Sequence, residues 1–475
     1  MPSRLGLGAC HMASDIDQLD LCGLADAIAV GDVTAVTATE HALAQLEGTG
    51  RALNAIVRLD ADFALAQAEA ADHTRTRGAP RQLLQGVPLA HKDVFYRAGH
   101  LSEGGSKIRL GFRPAVTATV LQRLDAAGAI DCGQLQMSEF AMSPTGYNEH
   151  HGPALNPWGH GHVAGGSSSG SGVAVAAGLV TGSLGTDTGG SLRHPGAMCG
   201  LVGLKPTWGL IPTDGVMPLS ASLDCVGPLA RTARDAARLL SVIAQDDFET
   251  GIAGGVKGLT LAVPGGYYRA RLTPEIETAL QDAIRVFREA GMTIVESKPP
   301  DMGPINTLMH ILLSVEAATL HKKWLLERPQ DYASQVRARI EPGLFYAATR
   351  YVEALSLRAS VTQAWLESAM PQADLAFLPA ISFTVPTISS TIEGAADDVA
   401  RIIGDITHCT RAINYLGLPA ASVPCGFNSA GLPIAFQLVG RPFQERVLLK
   451  SAHAFQGLTD WHLQRPNVPS GSNAG

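Results

Sequence analysis

Two glycine-rich segments hold the residues best suited to chemistry: Gly165-Gly166-Ser167-Ser168-Ser169-Gly170-Ser171-Gly172 and Gly185-Thr186-Asp187-Thr188-Gly189-Gly190-Ser191-Leu192-Arg193. In the second, glycines just ahead of a serine let backbone N–H groups converge without Cβ interference, which is what a tetrahedral oxyanion needs, and Ser191 would stand beside those donors. The same text also reads as a glycine-rich turn closed by a capping serine. The first segment admits three readings. As a phosphate cradle it lacks the following Gly-Lys-Ser/Thr. As a nucleophile elbow, Gly166-Ser167-Ser168-Ser169-Gly170 matches with Ser168 at its centre, but Trp158–Ala164 ahead of it is loop-like where an elbow requires a strand. The third reading is a flexible loop. Lys92, in His91-Lys92-Asp93, taken alone is ordinarily a solvated surface group. His150, His151, His160 and His162 crowd together, yet no acidic His-x-x-Glu-His spacing accompanies them, so they read as loop histidines and no metal is expected.

These residues need elements to place them. Gly86–Ala90 reads as a short apolar strand that delivers Lys92, and Leu53–Leu59 and Ala129–Gly133 as further strands, with helices over Ala61–Arg77 and Thr117–Ala127 and Ser138 as a cap. Ser169–Val180 reads as a small-residue helix and Thr181–Thr186 as the strand that feeds the second glycine loop. Leu259–Val263 is followed by a helix opening at Thr273-Pro274, with proline at the first helical position. Residues 300–370 are helical, poor in glycine and rich in large aromatics, and read as an insertion over the sheet. Strands return at Leu375–Leu378, Ala420–Val423 and Ile434–Val439. Strand and helix alternate, which argues for α/β layers in one large domain.

Composition narrows the class of protein. Of 475 residues, 46% are hydrophobic and 17% charged, too apolar for a disordered chain. The net charge of −7, with no basic stripe, argues against a nucleic-acid partner. Seven scattered cysteines, none in a C-x-x-C pair, suit neither a disulfide scaffold nor a zinc ribbon and fit a reducing compartment. No apolar run approaches the roughly 20 residues of a membrane span. The expectation is a cytoplasmic protein without a membrane or cofactor role, with residues 1–14 a disordered tail or cloning remnant and 466–475 a disordered C-terminal tail.

Taken in order, Lys92, Asn156-Pro157-Trp158, Gly165-Gly166-Ser167-Ser168, Gly185-x-Asp187-x-Gly189-x-Ser191-Leu192-Arg193-x-Pro195, Gly200-Leu201-Val202-Gly203-Leu204-Lys205-Pro206-Thr207 and Gly431-Leu432-Pro433-Ile434-Ala435-Phe436-Gln437-Leu438-Val439-Gly440 resemble the amidase signature family, over essentially the whole chain. The resemblance implies a single domain over residues 15–465, built on a central mostly parallel or mixed twisted sheet with helices on both faces. It implies a Ser–cis-Ser–Lys triad in which Ser191 is the nucleophile and Ser167, after a cis peptide, relays to Lys92. Thr188, Gly189 and Gly190 would be oxyanion donors, Asp187 and Arg193 a structural pair supported by Ser168, and Met142 and Ser143 would line the substrate pocket. The implied activity is hydrolysis of linear C–N bonds through an acyl-enzyme. The aromatic and apolar residues Leu312, Leu313, Trp324, Phe345, Tyr346 and Trp365 point to aryl amides or carbamates, and no arginine stands out for a carboxylate. The alternatives are the glutaminase subunit of a tRNA-dependent amidotransferase, a Ser-His-Asp esterase using Ser168, and a non-catalytic binder. The expected partner is a small-molecule amide or carbamate, with no nucleic acid and with homodimerisation left open.

Overall fold

Eleven strands form two sheets in a computed structural model that describes residues 16–468. Strands β1 (Ile56–Leu59), β2 (Pro88–Lys92) and β3 (Ile130–Leu135) make a small sheet of order β1-β3-β2. The large sheet contains β4 (Gly182–Asp187), β5 (Val202–Lys205), β6 (Cys225–Ala230), β7 (Thr260–Pro264), β8 (Thr293–Ser297), β9 (Leu375–Pro379), β10 (Ala420–Phe427) and β11 (Pro433–Gly440). Its order is β4-β6-β5-β10-β11-β9-β7-β8. This sheet is mixed. Parallel pairing is confined to β9-β7-β8, where helix Pro274–Glu289 makes the crossover that two parallel neighbours require; the remaining pairs are antiparallel.

Helices Ala233–Ala244, Pro274–Glu289 and Glu445–Leu458 pack on one face. There Phe287 and Phe455 close on Phe436 of β11 with ring centroids 5.7 and 4.9 Å away. The other face carries Ser169–Ala176 and Arg193–Met198, both wholly buried. The serines, glycines and alanines of Ser169–Ala176 are what let a helix lie this deep. A Cβ on Gly170 would meet the backbone of Ala55 and Gln136 at 2.4 Å, so this turn of helix touches two neighbouring segments directly.

The small sheet docks on the edge of the large one through polar contacts. Ser183 Oγ donates to the Ala90 carbonyl at 2.7 Å, and the Leu184 N–H donates to His91 Nδ1 at 3.0 Å. Burial holds His91 down at about 4, so its ring stays neutral and able to accept. This seam brings the end of β2, and therefore Lys92, alongside the end of β4.

Residues 300–370 are helical, as expected: Met302–Glu327, Ser334–Ile340, Ala348–Ser356 and Arg358–Ala369. Met302–Glu327, Ala348–Ser356 and Arg358–Ala369 share a second core in which Trp365 is fully buried and donates from Nε1 to Tyr268 Oη at 3.1 Å, while Ser334–Ile340 buries Val336 and Ile340 in the main core. Two local expectations change. The small-residue helix stops at Ala176, and Ser138 caps no helix: its Oγ donates to the Ser143 carbonyl at 3.1 Å, ahead of a single 3-10 turn. The expected tail 1–14 lies outside the described residues, as do residues 469–475 of the C-terminal one, while Pro466 is buried. No helix among the described residues is long and apolar enough to cross a membrane.

Candidate active site

Lys92, at the end of β2, is fully buried, and its Nζ donates to two hydroxyls, Ser167 Oγ at 2.7 Å and Thr186 Oγ1 at 2.8 Å. Removing an ammonium from water penalises its charged form, and burial lowers this lysine from 10.5 to about 7; the nearby Asp224 and Asp187 carboxylates pull the other way. Near neutrality a large share of Lys92 is therefore a free amine able to take a proton. The peptide between Gly166 and Ser167 is cis, as the resemblance implied. Thr186 was missed in the sequence, where its only signal was a hydroxyl directly before Asp187.

The loop after β4 carries Ser191 and is fixed by a buried cluster around Asp187. The Asp187 carboxylate accepts the N–H groups of Gly190 (2.8 Å) and Leu192 (3.2 Å). It also meets Arg193 by two contacts of 3.1 Å and takes Asn414 Nδ2 at 2.8 Å. Arg193 continues to Gln437 Oε1 at 3.0 Å and Asn414 Oδ1 at 2.6 Å. Asp187 and Arg193 are fully buried, and the guanidinium holds the carboxyl well below the usual carboxylate range. Of the three expected oxyanion donors, Gly190 gives its N–H to Asp187. Those of Thr188 and Gly189, and Ser191's own, have no partner among the described residues. The Thr188 side chain is turned aside by a 2.6 Å bond to Asp224.

Ser168 serves as a brace. Its Oγ donates to the Thr186 carbonyl at 3.2 Å and accepts the Thr186 N–H at 3.3 Å, while its own N–H reaches the Ser191 carbonyl at 3.3 Å. This geometry does not suit an esterase elbow: Ser168 is fully buried, and no histidine among the described residues bonds to it. His194, beside the Ser191 loop, has one ring nitrogen at Gly166 O (3.2 Å) and the other at Thr410 Oγ1 (2.8 Å), and burial lowers it to about 4. Of the histidines grouped in the sequence, His150 pairs with Glu139 at 2.9 Å. No three His, Cys, Asp or Glu side chains among the described residues are placed to hold a metal.

Ser191 opens onto a cavity of about 320 Å³, large enough for a small ligand. Met142 and Ser143 line it, with Leu219, Met309, Leu313 and Ile403. Of the six insertion residues expected to shape a hydrophobic site, only Leu313 does so. Leu312 and Trp365 are core, Trp324 stacks on Phe140 at 5.9 Å, and Phe345 is exposed. The sequence also offered no arginine for a carboxylate, whereas the fold brings two, Arg339 and Arg411, into this cavity.

The Amidase family profile matches residues 37–449. A glutamyl-tRNA(Gln) amidotransferase subunit of Chloroflexus aurantiacus is 38% identical, covering 96% of this chain and 99% of that one. The protein of the same name from Cupriavidus necator is 35% identical, covering 93% and 97%. The peptide amidase of Stenotrophomonas maltophilia superposes with a TM-score of 0.83 at 27% identity, covering 95% and 99%. The expectation of a chain that meets only a small molecule and no nucleic acid is overturned by these relatives, whose name is that of one subunit of an enzyme working on a tRNA. With its fold, its glycine loops and these relatives in agreement, the chain is a hydrolase of carbon–nitrogen bonds and belongs to the amidase signature family.

Proposed function

We propose that the chain hydrolyses a primary carboxamide, releasing ammonia through an acyl-enzyme on Ser191. The observation that carries this is the 2.7 Å contact between a desolvated Lys92 and Ser167 Oγ, beside a loop with unengaged N–H groups. Neutral Lys92 takes a proton through Ser167 as Ser191 Oγ attacks the carbonyl carbon. The oxyanion forms against the N–H groups of Thr188, Gly189 and Ser191, which have no partner among the described residues and are free to donate to it. Lys92 then returns the proton through Ser167 to the leaving nitrogen, and water hydrolyses the ester by the same relay. Resemblance to the amidotransferase subunits over nearly their full length supports ammonia as the leaving group and a working unit larger than this chain alone. The apolar walls at Met142, Leu219, Met309 and Leu313 favour a second reading, aryl amides or carbamates. Measuring ammonia from primary amides against p-nitroaniline from anilides, with Ser191→Ala as control, separates them. Fast anilide turnover with no ammonia release would reverse the order of preference.

A further inference from the structure

The cavity beside Ser191 holds two cations and no anion. Arg339 and Arg411 line it, and no Asp or Glu among the described residues does. Neither guanidinium has a carboxylate within ion-pair reach among the described residues. Arg339 donates from Nη1 to the Met142 carbonyl at 2.7 Å, and Arg411 from Nε to Asn306 Oδ1 at 3.1 Å. Both are half-buried, and burial lowers Arg339 to about 10. Charged groups withdrawn from water are ordinarily paired, so two unpaired guanidiniums facing one cavity leave a place for an anion from outside.

The placement of Arg411 is built. Asn306, which fixes its Nε, donates in turn to Tyr267 Oη at 2.9 Å, and Tyr267 lies against the same guanidinium. Its neighbour Thr410 donates to the Gly189 carbonyl at 2.8 Å, and Arg411 Cβ stands 3.9 Å from where a Cβ on Gly189 would be. Arg411 is therefore anchored to the nucleophile loop itself. Its field reaches His310 across the cavity, adding to desolvation in holding that ring below its ordinary value.

We propose that this cavity binds the carboxylate of an anionic amide between Arg411 and Arg339 and has no subsite for an ammonium. This rests on Ser191 as the acylated residue and narrows its substrate to the monoamide of a dicarboxylic acid. The planar guanidinium fork matches a carboxylate by two parallel hydrogen bonds. An α-amino acid amide such as glutamine would bring its ammonium to within a few ångströms of the arginines, with no acidic side chain to answer it.

Three primary amides of matched length test this: glutarate monoamide, which is anionic, glutamine, which is zwitterionic, and pentanamide, which is neutral. The kcat/KM for glutarate monoamide is expected to exceed both others at least tenfold. Arg411→Met is expected to lower it at least tenfold more than it lowers that for pentanamide. A readout independent of turnover uses glutarate as the probe. Glutarate should raise the melting temperature and slow fluorophosphonate labelling of Ser191 in the wild type but not in Arg411→Met, and Arg339→Lys should weaken both effects. Glutamine turned over as well as glutarate monoamide would overturn the proposal, as would glutarate that neither protects nor stabilises. If no amide is hydrolysed and Ser191 is not labelled, the acyl-enzyme reading fails, while the glutarate-dependent melting shift still decides the anion site.

Discussion

Replacing Lys92 by methionine is expected to give a protein that is inactive yet more stable than the wild type below neutral pH. Lowering a proton affinity from 10.5 to about 7 corresponds to about 5 kcal/mol of native-state penalty, carried in full wherever the buried lysine is charged. Methionine removes that penalty but also the hydrogen bonds to Ser167 and Thr186, worth about 1 kcal/mol each, which leaves a net gain of about 3 kcal/mol at pH 6. Between about pH 7 and 10.5 the unfolded wild type holds a proton that the folded protein has released. Wild-type stability therefore rises with pH across this window relative to the variant, and by pH 9.5 the advantage of the variant is gone. For 475 residues the unfolding entropy is about 1 kcal/mol/K, so the difference in melting temperature should move by about 3 °C between pH 6 and 9.5. Calorimetry of both proteins at three pH values reads this directly, and other titrating groups cancel in the difference. The wild-type kcat/KM should rise along one acidic limb with its midpoint near 7. A melting difference that stays constant with pH would mean that Lys92 keeps its ordinary affinity and cannot serve as the base.

The other expectations concern the loop around the nucleophile. Ser191→Ala should lower kcat/KM at least about 10³-fold with an unchanged melting temperature, whereas Ser168→Ala should cost about 1–2 kcal/mol of stability and far less activity; the reverse ranking would return the nucleophile to Ser168. Arg193→Lys should cost about 3 kcal/mol and reduce turnover together with it, because one ammonium cannot reach Asp187, Asn414 and Gln437 at once; an unaltered unfolding curve would show that the cluster braces nothing. Gly190→Ala should abolish activity, since the new Cβ would stand 2.3 Å from the His194 ring and 2.6 Å from Thr410 Oγ1 on a backbone at φ +133°; near-normal kinetics would mean that the loop relaxes at little cost.

Local pattern carried the strands and loops that place Lys92, Ser167 and Ser191. The apolar run before Lys92 reads as a strand because a strand buried on both faces is written as a short continuous apolar run, and β2, buried along its whole length, does end at Lys92. Glycine spacing likewise exposed both loops, since close backbone approach admits few other residues. What escaped notice is held by pairs distant in sequence. Thr186 reaches Lys92 across the seam between two sheets, Asn414 and Gln437 complete the Asp187–Arg193 cluster from more than 200 positions away, and Arg339 and Arg411 enter the cavity from separate helices. Arg339, Arg411 and Asn414 stand in ordinary helical text, and Thr186 and Gln437, though inside conspicuous segments, carry no local mark of the distant partners they meet. The aromatics of the insertion misled for the same reason: Trp365 is large because it fills a core, and only the fold reveals which side it faces.

The clamp on the nucleophile loop also sets an order on biosynthesis. Asp187 and Arg193 leave the ribosome long before Asn414 and Gln437, the two amides that complete their bonding. Until the helix Arg411–Leu416 and strand β11 have emerged and packed, the guanidinium lacks its Asn414 and Gln437 acceptors and the Ser191 loop lacks that part of its bracing. Nascent or prematurely terminated chains that already contain Lys92, Ser167 and Ser191 are therefore expected to lack hydrolytic activity. On the proposed chemistry, competence is expected as one of the last events of synthesis, with the hydrolase silent while its own polypeptide is still being made.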